Sequence, residues 1–117
     1  RRDMIRSAVR ALGLKLVAPD EVASPAVTAI YAPEGVDPVQ LRKLMLERYH
    51  VVIAGGQGKF QKVAFRIGHL GYVEDMELLG GIAALEMALY ELGYKFELGA
   101  GVGAAQKAIM APHRKII

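Results

Sequence analysis

The chain has no cysteine. That excludes a disulfide framework, thiolate ligands for zinc or iron–sulfur clusters and a cysteine nucleophile, and it fits a reducing cytosol. Hydroxyl nucleophiles are nearly as scarce, with Ser7, Ser24, Thr28 and five tyrosines making up the whole stock. No apolar run reaches the roughly 18 to 20 residues that crossing a bilayer requires, because glycine, proline or charge interrupts each one. The opening Arg1-Arg2-Asp3 does not have the form of a signal peptide. The expectation is a cytoplasmic domain with no membrane partner. A length of 117 residues with 53% hydrophobic content leaves room for one domain and one core.

The net charge of +3 is unevenly distributed. Four arginines against Asp3 make residues 1–10 strongly basic, and Arg114 with Lys115 adds two charges at the other end. Residues 11–113 carry nine basic and eleven acidic groups, so the body is slightly acidic. A phosphate-tracking surface needs cations clustered on one folded face, and this distribution argues against a nucleic-acid partner.

Periodicity and punctuation give the element order. Met4, Ile5, Ala8, Val9, Ala11 and Leu12 repeat at helical spacing and stop at Gly13. This helix is already under way at residue 1 with no cap and no initiator methionine, which suggests a chain cut out of something longer. Short strands are expected over 14–17 and 27–32. Asp37-Pro38 is a well-formed helix start, because aspartate accepts from first-turn amides and proline wastes no donor there. That helix should run to about Tyr49, with His50 ending it. A short buried strand over 51–54, the glycines 55–58 and a strand over 62–70 follow; about seven linking residues are too few for a parallel crossover, so the pair should be an antiparallel hairpin. Glu74, Asp75 and Glu77 open a long helix that stops at Gly93, with an apolar stripe of Met76, Leu79, Ile82, Ala83, Leu85, Leu89 and Leu92. A glycine-rich loop then leads into a weak helix over 104–110. The fold class is α+β: a small antiparallel or mixed sheet of three or four strands with helices packed on one face.

Chemistry is sparse. In the run 63–71, alternation sends Val63, Phe65 and Ile67 under the helices and Ala64, Arg66 and Gly68 to the open face. Arg66 then has space around it, and its planar fork suits a carboxylate or phosphate. On spacing alone, a solvated or salt-bridged surface arginine is the favoured outcome. Gly55-Gly56-Gln57-Gly58-Lys59 fails as a phosphate loop at Ile53 and Phe60, and reads as a flexible hairpin connection in which glycines allow positive φ. The stretch 99–104 comes close to a dinucleotide fingerprint, but no βαβ unit fits there. His50, His69 and His113 lack metal-ligand spacing, so no metal is expected. Taken alone, the chain lacks the parts of an active site.

The segment Phe65-Arg66-Ile67-Gly68-His69-Leu70-Gly71, with Ile53-Ala54-Gly55-Gly56-Gln57-Gly58 before it and Ile82-Ala83-Ala84-Leu85-Glu86 after it, resembles the C-terminal small domain of the class V aminotransferases. Within them it is most similar to the alanine-glyoxylate, serine-glyoxylate and serine-pyruvate branch. The resemblance covers roughly residues 4–110. It implies a homodimeric enzyme of the fold type I class, dependent on pyridoxal 5′-phosphate, moving an amino group from a small amino acid to a 2-oxo acid, glyoxylate or pyruvate. It also implies that Arg66 binds the substrate's α-carboxylate, that Gly55, Gly56 and Gln57 belong to a loop near the active-site mouth, and that His69 has a supporting role. The family's Schiff-base lysine lies in a large domain, and no lysine here sits in that context. Residues 1–117 therefore read as the small domain alone, inactive by itself, with the cofactor held by a large domain absent from this chain. Two alternatives stand beside this reading: a stand-alone amino-acid-binding regulatory module, and the soluble hydrogenase subunit label carried by some relatives of this branch, which a cysteine-free chain leaves as a matter of naming.

Overall fold

The computed structural model describes residues 2–19, 27–56, 58–60, 62–68 and 74–113. They form α1 (Arg2–Ala11), β1 (Lys15–Leu16), β2 (Val27–Tyr31), α2 (Pro38–Tyr49), β3 (Ala54–Gly55), β4 (Ala64–Gly68), α3 (Asp75–Glu91) and α4 (Ala100–Met110), with 3₁₀ turns at Gly58–Phe60 and Ala111–His113. The four strands make one antiparallel sheet in the order β1-β2-β4-β3, and the fold is the expected α+β class. No helix among the described residues is long and apolar enough to cross a membrane.

Register decides which side chains meet the helices. Opposed residues of an antiparallel pair share a face. Leu16, Ile30, Phe65 and Gly55 therefore line one side, together with the pair Thr28 and Ile67. Ile30 and Phe65 are fully buried there, beneath α1 and α2. α3 and α4 pack onto those two helices and complete the core with Ile82, Leu85, Leu89 and Ala105. α2 begins as its sequence demands, with Asp37 Oδ1 accepting from the Val39 amide at 2.9 Å and Pro38 in the first turn. It ends at His50, whose backbone turns left-handed at φ 58°.

Four expectations need correction. Residues 51–53 are not strand: the left-handed His50 turns the chain out, Val52 is 78% exposed, and pairing reaches only Ala54 and Gly55 at the sheet edge. The second hairpin strand is shorter than 62–70 and spans Ala64–Gly68; because it begins only at Ala64, the expected alternation fails at its start, with Val63 exposed where burial was expected and Ala64 buried where exposure was expected. On α3, Leu78 takes the core position assigned to Met76, which is 73% exposed. Finally, α4 starts at Ala100, four residues earlier than the glycines suggested.

The last correction has a physical cause. Glu86 of α3 is only 2% exposed, and its carboxylate accepts from the amides of Gly99 at 2.5 Å and Val102 at 3.0 Å. An anion placed on the unpaired amides of a first turn supplies the cap that a glycine sequence cannot supply itself. Gly99, at φ +93°, provides the left-handed entry that orients those amides. α1 and α4 also approach so closely at Gly101 that an added Cβ would sit 3.0 Å from Leu12.

At the C-terminal end of α3, five residues beyond Glu86, the Tyr49 hydroxyl donates to Glu91 Oε1 at 3.0 Å, and Arg48 Nη2 lies 3.3 Å from the same oxygen. Desolvation and the bond to the Glu91 carboxylate raise the Tyr49 pKa above its usual 10.0, while Arg48 pulls the other way.

Two outcomes are expected from these contacts. Glu86→Gln should destabilise the chain by about 1 to 3 kcal/mol in urea unfolding, because it removes the charge and one of the two oxygens that cap the Gly99 and Val102 amides. Folding holds the Tyr49 proton more tightly than the unfolded chain does, so the α2–α3 link contributes below pH 10 and is lost as the pH rises through the folded-state value. The stability difference between wild type and Tyr49→Phe should accordingly shrink in alkali, and a phenolate absorbance titration of the two proteins should place the Tyr49 step late.

Candidate functional site

The open face of the sheet carries Lys15 on its edge strand, opposite Tyr31, and Arg66 near its middle. Arg66 is the central residue of β4, with Ala29 opposite it on β2 and Ala54 opposite it on β3. Its same-face neighbours along the strand are Ala64 and Gly68. Four small residues thus pave the floor around the guanidinium, as alternation required for Ala64 and Gly68; pairing adds Ala29 and Ala54. Strand alternation could not have identified those two, since register across the sheet is a tertiary fact.

Arg66 is half-buried, and its Nε donates to the Gly55 carbonyl at 2.7 Å. Among the described residues no carboxylate pairs with it, and neither terminal nitrogen meets an acceptor. The bond at Nε holds the side chain across β3 and leaves the end-on pair of Nη nitrogens for two parallel bonds to a planar anion. The surface salt bridge that spacing left open is not what the described residues form. Nor is the arginine beneath the helices.

An aromatic pair stands at the hairpin end of the same face. Tyr31, opposite Ala64 and diagonal to Arg66, packs against Phe60 with ring centroids 6.1 Å apart and planes tilted by 59°. Lys59 Nζ lies 5.3 Å from the Phe60 centroid. Periodicity carries no signal for this grouping, because the 3₁₀ turn at Gly58–Phe60 brings Phe60 back to Tyr31 of β2.

The glycine loop is ordered by close approach more than by unusual torsion. Gly58 has positive φ, at +55°, as the hairpin reading allowed, while Gly55 and Gly56 do not. At Gly55 the Arg42 guanidinium lies 3.1 to 3.3 Å from the position a Cβ would take, so a side chain there would have to push that guanidinium aside. At Gly56 a Cβ would fall 2.3 Å from the Phe60 carbonyl oxygen. Gln57 and His69, the other two site residues read from the sequence, lie outside the described residues.

The groups present do not fit pyridoxal 5′-phosphate. That cofactor needs an amine in a sheltered setting, an acid for its ring nitrogen and a cradle for its phosphate. The described lysines 15, 43, 59, 62, 95 and 107 are all exposed. The glycine-rich N-terminus of α4 would be the natural phosphate cradle, and Glu86 already occupies its amides. Among the described residues no three His, Asp or Glu side chains gather as metal ligands.

No family model matches the chain. A soluble hydrogenase small subunit from Synechococcus sp. (strain PCC 6716) is 49% identical over 105 residues, which is 89% of this chain and 27% of that protein. A serine–glyoxylate aminotransferase from Methylorubrum extorquens is 45% identical over 101 residues, 86% of this chain and 25% of its own length. Among solved structures, pyridoxamine-pyruvate aminotransferase from Mesorhizobium loti superposes with a TM-score of 0.89 at 35% identity, over 95% of this chain and 29% of that one. The chain spans about a quarter of the length of the curated relatives it matches.

Gly56→Ala should force the 3₁₀ turn off β4. The expected cost is about 1 to 3 kcal/mol in urea unfolding, typical of overpacking, with amide shifts concentrated in residues 54–66.

Proposed function

The chain belongs to the class V aminotransferase family, and from that membership we propose that it is the small domain that holds the substrate's α-carboxylate. A larger companion domain would carry pyridoxal 5′-phosphate. The observation that carries this reading is the guanidinium of Arg66, fixed at Nε and, among the described residues, open at both terminal nitrogens, on a floor of alanine and glycine.

Arg66 acts by position. With one nitrogen held by Gly55, the side chain surrenders little further rotamer freedom when an acid binds, so more of the interaction appears as affinity. A two-point grip also sets the plane of the carboxylate, and with it the location of the adjacent Cα, which is the centre a transaminase must present to its reactive groups. The small floor accommodates a compact acid lying close to the sheet. That supports a small amino acid, alanine or serine, as donor and glyoxylate or pyruvate as acceptor, as does the name of the serine–glyoxylate relative. The whole protein would work as a homodimer in the cytoplasm. By itself this chain neither holds the cofactor firmly nor transaminates. The hydrogenase name of one relative gains no support from the donor set, which has no cysteine and, among the described residues, no metal-ligand cluster.

Two measurements test the proposal. Mixed with pyridoxal 5′-phosphate, the chain alone should develop no absorbance band of a lysine-bound cofactor. In the whole enzyme, Arg66→Ala should raise the amino-acid KM by about 30- to 100-fold with cofactor absorbance unchanged, the equivalent of a charge-assisted pair worth about 2 to 3 kcal/mol. An unchanged KM removes Arg66 from the site.

A further inference from the structure

Arg42 is a second arginine brought to the same residue from the other side of the sheet. It projects from α2, and its Cζ, Nη2 and Nη1 lie 3.1, 3.2 and 3.3 Å from where a Gly55 side chain would begin. The guanidinium therefore fills the space that Gly55 leaves empty on the helical face. Its Nε is buried and, among the described residues, has no hydrogen-bond partner. A buried donor left unpaired in a folded protein calls for an explanation, since such groups are normally satisfied.

The explanation lies in what Gly55 does. β3 is an edge strand only two residues long, so few ladder bonds hold it. Yet its second residue supplies the carbonyl that fixes Arg66. Something must keep that carbonyl in place, and the flat group pressed on Gly55 from behind is Arg42. We infer that Arg42 is a positioning residue for the anion clamp: its planar guanidinium backs Gly55, Gly55 holds Arg66 Nε, and Arg66 presents its terminal nitrogens to the acid.

The consequence for binding rests on the carboxylate reading of Arg66; the positioning itself does not. Planarity matters here, because an ammonium on a flexible stem cannot spread over a peptide as a guanidinium does. The two cations also sit on either side of a single residue, so an anion taken up by Arg66 eases the repulsion between them.

Side-chain Nε–H resonances of the 117-residue chain test the inference in both states. Without ligand, the Arg66 Nε–H signal should be dispersed and slow to exchange with water. Arg42→Met should speed its exchange about tenfold, the signature of a hydrogen bond that opens more often, and Arg42→Lys should fall between the two. The pyruvate dissociation constant should rise about three- to tenfold in Arg42→Met, with the backbone amides of β2 and β4 unmoved. If Arg42→Met loses its folded amide pattern, Arg42→Lys alone decides. Arg66 exchange unchanged in the folded variants overturns the inference. If pyruvate fails to shift Arg66 even in the wild type, the carboxylate reading falls while the ligand-free exchange rates still judge Arg42.

Discussion

A single hydrogen bond, from Arg66 Nε to the Gly55 carbonyl, converts an exposed cation into a fixed one. An unrestrained arginine has several rotatable bonds and would sample much of the sheet face. Tied at Nε, its remaining donors point one way. The function proposed for this face depends on that restraint. The floor of Ala29, Ala54, Ala64 and Gly68 matters because the guanidinium stays above it, and the glycine loop matters because it delivers the accepting carbonyl. The sheet itself is the frame: β4 is central and β3 is its edge, so the bond crosses from the best-supported strand to the least-supported one.

The proposed function separates recognition of an acid from the chemistry performed on it. The described residues offer a guanidinium fixed at Nε, but no sheltered amine, no gathered metal ligands and no vacant phosphate cradle. In a transaminase this division is workable. Holding a carboxylate needs one well-aimed cation, whereas activating Cα needs a cofactor and its own retinue. A domain that contributes only the first can be small, and its core can be devoted to keeping one strand straight.

Much of this was legible in the sequence, and the limits were physical. The α2 start was readable because capping is local: Asp37 and Pro38 act within one turn. The face of Arg66 was readable because alternation is local too, and Phe65 beneath the helices confirms it. Strand ends at 51–54 and 62–70 were misjudged, since apolar content cannot reveal where an edge strand loses its partner. The start of α4 was missed for a related reason: its cap comes from Glu86, thirteen residues before Gly99 and on another helix. A glutamate amid Ala84, Leu85 and Ala88 was a signal that something polar would need satisfying there. The role of Gly55 was hidden entirely, because its demand for space is set by Arg42 on a different element.

The Glu86 contact bears on how the glycine-rich turn before α4 would answer an incoming anion. Its amides face a tethered competitor, present at the high effective concentration that covalent connection confers, so a dissolved phosphate would have to evict a resident before it could bind. The turn is consequently self-sufficient: it takes its final shape from the polypeptide's own charge, and its order owes nothing to the metabolite supply around it.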